Sequence, residues 1–109
     1  MRKELKFIAD HFGPVTQLAK QSEEGREVAE ATEAFHHALI LDDDPEEIER
    51  KRLHMVEEMA DIWIMVQHNI YHHSSPGEFK GFVDSKIKRT IKRIQAELDK
   101  NESKTETNR

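Results

Sequence analysis

The 109-residue chain has room for one domain with a modest core, which a partner chain would enlarge. Hydrophobic and charged residues each make up 36% and cysteine is absent, which excludes a disulfide scaffold and a thiolate metal site and leaves a reducing, cytoplasmic setting as the expectation. The net charge of −5 argues against a general nucleic-acid-binding surface. No run approaches the roughly 18 apolar residues of a membrane span, and no signal-type apolar region follows Met1-Arg2-Lys3-Glu4, so neither polymeric nucleic acid nor membrane is an expected partner.

In chain order, Leu5, Ile8 and Phe12 stand at helical spacing and predict a short first helix, ended by Gly13-Pro14. Pro14 suits the opening turn of a long second helix, along which Val15, Leu18, Val28, Thr32, Phe35 and Leu39 lean to one side. The stretch Asp42-Asp43-Asp44-Pro45 reads as the start of a third helix: Asp44 as cap, Pro45 in the first helical position, Glu47 placed to complete a capping box. That helix should run to about His72. Its second half, "MADIWIMVQHNI", is apolar almost all round, as in a central helix buried on most sides. Ser75-Pro76-Gly77-Glu78 repeats the start signal, and Val83, Ile87, Ile91, Ile94 and Leu98 form one stripe on a fourth helix. From Asn101 the polar tail "NESKTETNR" reads as disordered, which leaves residues 1–100 as the domain. The fold class is therefore all-α: a helical bundle of three long helices plus a short N-terminal helix. The "IWIMV" segment cannot be covered by so few neighbours, so dimerisation should complete the bundle, as a homodimer or homotetramer.

Carboxylates carry the chemical signal. Within "EEGREVAEATEAFHH" the acidic residues share helix faces where like charges repel, so something else should compensate them. Glu24 and Glu27 are three apart and project about 4.5 Å from each other along the helix axis. Glu58 and Asp61 repeat the spacing on the central helix. If the two helices pack antiparallel, the pairs face each other as a hard-cation site that suits Mg²⁺ or Mn²⁺. Glu23, Glu30, Glu33, Glu46, Glu47 and Glu49 read first as a solvated face. Glu58 and Asp61 differ, because they interrupt the most apolar helix, where an unpaired charge is expensive.

"SEEGREVAEA" followed by "EEMADIWIMV" resembles the EExxE and ExxD signature of the MazG-like, all-α nucleotide pyrophosphohydrolases, over roughly residues 15 to 95. The resemblance implies that Glu24, Glu27, Glu58 and Asp61 bind Mg²⁺. It also implies hydrolysis of a nucleoside triphosphate between its α and β phosphates, to a monophosphate and pyrophosphate. The chemistry asks for no nucleophilic side chain, since metal charge and positioning carry most of phosphoryl transfer. A carboxylate not fully engaged by metal would take the water's proton, and Glu23 and Glu27 are the two candidates.

Lys86, Thr90 and Arg93 of the fourth helix fall within about 60° of one another on a helical wheel. They resemble the family's KxxxNxxR phosphate-contact pattern, with threonine where asparagine is common. A solvated basic face is the competing reading. Lys20, one turn before Glu24, is a further phosphate candidate. Trp63 has the spacing of a core residue and is also the aromatic on which a base would stack. His68 and His72, four apart, invite a transition-metal reading, against which stands their place near a helix end. Two further functions compete. A di-iron or di-manganese bundle wants two Glu-x-x-His motifs, and only Glu33-x-x-His36 is present. A non-catalytic helical interaction module would leave the intrusion of Glu58 and Asp61 into an apolar helix unaccounted for.

Overall fold

Gly13 and Pro14 decide how the chain begins. In the computed structural model, which describes residues 1–107, Gly13 takes φ 81° and ψ 176°, a conformation essentially reserved for glycine, and Pro14 brings no N–H. The result is a kink inside one helix, α1 (Lys3–Ile40), so the expected short N-terminal helix is the first arm of α1. α1 ends in a Schellman motif. Asp42 adopts the left-handed conformation at φ 52°, its N–H donates to the Leu39 carbonyl at 3.3 Å, and Asp43 N–H donates to that of Ala38 at 3.0 Å.

α2 (Pro45–His73) starts at the expected Asp44-Pro45 signal, but the capping box does not form. The Asp44 side chain makes no cap hydrogen bond, and the Glu47 carboxylate is taken by the Arg50 guanidinium and by Lys51 Nζ at 3.5 Å. A bidentate charged partner one turn away outcompetes a single backbone N–H.

α1 and α2 pack antiparallel in a unit spanning Met1–Ser74, with the pairing running Ala9 to His72, Gln17 to His68, Gly25 to Ile62 and Asp43 to Lys51. The buried apolar residues are few and mostly small: Leu5, Ala9, Ala31 and Ala38. Small side chains let the helices approach closely, yet they leave much of the apolar surface uncovered. Leu53, Val56, Met59 and Trp63 recur at helical spacing along α2 and are all exposed, Trp63 by 50%. The expectation that the central helix is buried on most sides therefore fails within this unit, and Trp63 is not a core residue there. Within this unit α2 has one neighbouring helix, α1, which covers only one of its sides.

α3 (Glu78–Thr107) belongs to a second unit that begins at Ser75. Here the start signal does operate: Ser75 N–H donates to Glu78 Oε1 at 2.8 Å, the reciprocal half of a capping box, and Gly77 takes φ 88° in the turn. The stripe Val83, Ile87, Ile91, Ile94 and Leu98 is exposed. α3 continues through Thr107, seven residues beyond the Lys100 boundary drawn from composition. Polarity of the tail argues against a buried face, whereas "ELDKNESKTE" contains no Gly or Pro that would stop a helix. Residues 108 and 109 of the expected disordered tail lie outside the described residues.

Candidate metal centre

Three carboxylates meet where the middle of α1 crosses α2. Glu24, Glu27 and Glu58 each offer an oxygen, and these oxygens all lie within 4.8 Å of one another. The spacing of three on α1 puts Glu24 and Glu27 on adjoining positions of the face turned to α2, and the antiparallel pairing brings Glu58 opposite them. At this level Gly25, between the two glutamates in sequence, faces the Ile62 side chain of α2.

Two of the three carboxylates are poorly hydrated. The Glu24 side chain is 8% exposed and that of Glu58 12%. One oxygen of each, Glu24 Oε2 and Glu58 Oε2, is buried with no hydrogen-bond partner. Buried carboxylate oxygens without a donor are costly in a folded protein, and such exceptions call for a specific cause. The charge of Glu24, with burial and the nearby Glu58 adding to it, pushes the Glu27 carboxyl above the usual carboxylate range. The donor set is all oxygen, anionic and clustered, which fits a hard divalent cation.

Two cationic or basic side chains flank the trio. Lys20 Nζ lies 3.1 Å from Glu24 Oε1 and 3.6 Å from Glu23 Oε2, and its pKa is raised chiefly by the bond to Glu24. His54 Nε2 stands 3.9 Å from Glu58 Oε1. Beside them opens a cleft of about 390 Å³ lined by Glu27, Glu30, Ala31, Ala34, His54 and Glu58.

The remaining sequence-predicted residues fall elsewhere. Asp61 is half-buried on α2, one turn beyond Glu58, and is not among the carboxylates that converge. Glu23 is exposed and faces Lys20. Glu33 and His36 are both exposed, so nothing of a carboxylate–histidine metal site gathers around them. Lys86, Thr90 and Arg93 stand exposed on α3 in the second unit, where Thr90 Oγ1 donates to the Lys86 carbonyl at 2.9 Å.

The histidines near the end of α2 clamp the kinked arm of α1. His72 Nε2 donates to the Ala9 carbonyl at 2.8 Å and His73 Nε2 to the Pro14 carbonyl at 2.6 Å. Tyr71 adds a hydroxyl bond to Asp10 at 2.7 Å. His68 is fully buried beside Gln17, at 3.4 Å, and burial, with His72 nearby, holds its imidazole below the ordinary histidine range. Asn69 donates to Gln21 Oε1 at 2.8 Å and to the Gln17 carbonyl at 3.0 Å. The reading from sequence missed His54, whose spacing of four from Glu58 puts it on the same helix face, and missed the Gln17–Asn69 polar pairing, which has no local signal.

No family model, curated protein or solved structure matches this chain. Among the described residues, no helix is long and apolar enough to cross a membrane.

Proposed function

We propose that the chain is a Mg²⁺-dependent, MazG-like nucleoside triphosphate pyrophosphohydrolase, cleaving an NTP or dNTP between its α and β phosphates to a monophosphate and pyrophosphate. The observation that carries the reading is the pair of buried, partnerless oxygens, Glu24 Oε2 and Glu58 Oε2, within a trio of converging carboxylates. A solvated acidic face would point such oxygens at water, and an interaction module would have no use for them inside the fold. The likeness of "SEEGREVAEA" and "EEMADIWIMV" to the EExxE and ExxD pattern supports the same assignment.

Glu24, Glu27 and Glu58 would hold the cation, with Asp61 added by the resemblance. Bound there, Mg²⁺, or Mn²⁺ in its place, supplies positive charge against the phosphate oxygens and acidifies water. Glu27 lines the cleft, which suits it better than the exposed, lysine-paired Glu23 to take a proton from water. As the water oxygen bonds to a phosphorus of the α–β anhydride, that proton passes to Glu27 and the bridging P–O bond breaks. Lys20 is the proposed phosphate contact beside the trio, Lys86, Thr90 and Arg93 of α3 are proposed as phosphate contacts on the resemblance alone, and exposed Trp63 is the proposed base-stacking surface.

The working unit in this reading is a homodimer or homotetramer. The exposed stripe Leu53, Val56 and Met59 supports it, since a second copy packed there would complete the core that two helices leave open. Incubation with a panel of NTPs and dNTPs plus Mg²⁺, followed by product identification, tests the function. Pyrophosphate formed together with a monophosphate is expected, and release of single phosphates contradicts it.

A further inference from the structure

The trio has one cation in reach already, and it belongs to the chain. Lys20 sits one turn before Glu24 on α1, with its ammonium 3.1 Å from Glu24 Oε1 and 3.6 Å from Glu23 Oε2. Its side chain is 46% exposed, whereas that of Glu24 is 8% exposed, so the lysine reaches down from solvent onto a buried acid. Glu24 uses one oxygen for this contact and leaves the other, Oε2, buried without a partner. A flexible four-carbon stem ending in a compact charge can swing back to solvent without disturbing the helix. Among the described residues the ammonium pairs with Glu24 and Glu23.

We propose that Lys20 is a built-in placeholder for the divalent cation: its ammonium neutralises Glu24 in the metal-free protein, is displaced when the cation binds, and then turns outward to hold the anionic phosphate chain of the ligand. This inference rests on the trio being the cation site. A divalent ion held by the Glu24 carboxylate and an ammonium on the same carboxylate would repel each other at short range in a poorly hydrated site. The two therefore compete. Once displaced, Lys20 stays tethered one turn from Glu24, within reach of an anion drawn to the bound cation. One side chain thus couples two binding events: it weakens cation binding when no anion is present, and it strengthens anion binding once the cation is in place. That ordering disfavours an idle, metal-loaded site and favours joint uptake of cation and polyphosphate.

The coupling predicts opposite effects from one substitution, which a merely structural lysine would not produce. Mn²⁺ binding without nucleotide, read by electron paramagnetic resonance of the free ion, should be about tenfold tighter in Lys20→Met and Lys20→Gln than in the unsubstituted protein. Inorganic pyrophosphate binding at saturating Mn²⁺, read by calorimetry, should be about tenfold weaker in both. Two variants of different polarity, each checked by circular dichroism, guard against a single folding failure. Mn²⁺ affinity that is unchanged or weaker in variants that fold, with the unsubstituted protein binding Mn²⁺ normally, overturns the placeholder and leaves the cation site standing. Tighter Mn²⁺ with undiminished pyrophosphate binding overturns the outward turn. Failure of every protein to bind Mn²⁺ overturns both the placeholder and the cation site beneath it.

Discussion

Glu24 on α1 and Glu58 on α2 converge across the helix interface, each with one oxygen buried and unpartnered. Two like charges held together where one oxygen of each is buried disfavour the metal-free fold, and the proposed cation would offset that repulsion. Neutralising either one should separate folding from function. Glu24→Gln, Glu27→Gln, Glu58→Gln and Asp61→Asn are expected to lose turnover by about a hundredfold or more, since each removes a cation ligand or its neighbour. Relief of even ~1 kcal/mol of repulsion in Glu58→Gln would raise the metal-free melting temperature by several degrees in a domain of this size. Two of the four variants retaining near-normal turnover at saturating Mg²⁺ would refute the ligand assignment.

Proton linkage provides a second signature. The Glu27 carboxyl has its folded pKa raised, first by the charge of Glu24. Its contribution to stability is fully present below the unfolded carboxylate pKa and is lost as pH rises through the elevated folded value. Metal-free protein should therefore weaken across that window, as followed by the urea midpoint in EDTA. Saturating Mg²⁺ should flatten or reverse the slope, and Glu27→Gln should remove it.

His68 acts in the opposite direction and at the other end of the unit. Burial depresses its folded pKa below the reference value of 6.5, so its contribution is present above that value and is lost as pH falls through the folded one. Acid loss of stability starting near neutrality and independent of Mg²⁺ is the expected result. His68→Gln should shift this acid limb and leave the Glu27 limb in place.

Two glycines of α1 should respond oppositely to the same change. Gly13 holds φ 81° and ψ 176°, so Gly13→Ala is expected to cost about 1–3 kcal/mol. Gly25 lies inside the helix with room for a methyl, whose nearest neighbour is the Ile62 methyl at 4.0 Å. Gly25→Ala should therefore add about 0.5–1 kcal/mol of helix stability without loss of activity. Chemical denaturation of the two variants checks both signs.

Sequence patterns revealed the breaks more reliably than the boundaries. Gly13-Pro14 and Asp44-Pro45 were legible because each names a backbone conformation that other residues avoid. The reach of α3 past Asn101 was not, because polar composition reports whether a segment can bury a face and says little about whether it coils. At the site, the shared face of Glu24 and Glu27 was readable from helical periodicity, and Glu58 joined them only on the condition that the two helices pack antiparallel. The relative places of Asp61 and His54 were not. Both lie within about a turn of Glu58, and which one reaches the cleft depends on the register of α1 against α2, a tertiary quantity that no local pattern encodes.

Assembly has its own check. Leu53, Val56 and Met59 form an exposed apolar stripe, and burying it against a second copy removes that surface from water. Light scattering at micromolar concentration should give twice or four times the 12.8 kDa chain mass. Val56→Glu should lower it to the single-chain value. A single-chain mass for active, folded protein would remove the shared core from the account.

Phosphorus NMR of a nucleoside triphosphate reaction tests the central claim most directly, with unsubstituted protein and Glu58→Gln each run with Mg²⁺ and with EDTA. Paired growth of pyrophosphate and monophosphate signals is expected in one sample alone, unsubstituted protein with Mg²⁺. Orthophosphate with a diphosphate, no turnover of any nucleotide, or equal turnover by Glu58→Gln would contradict it.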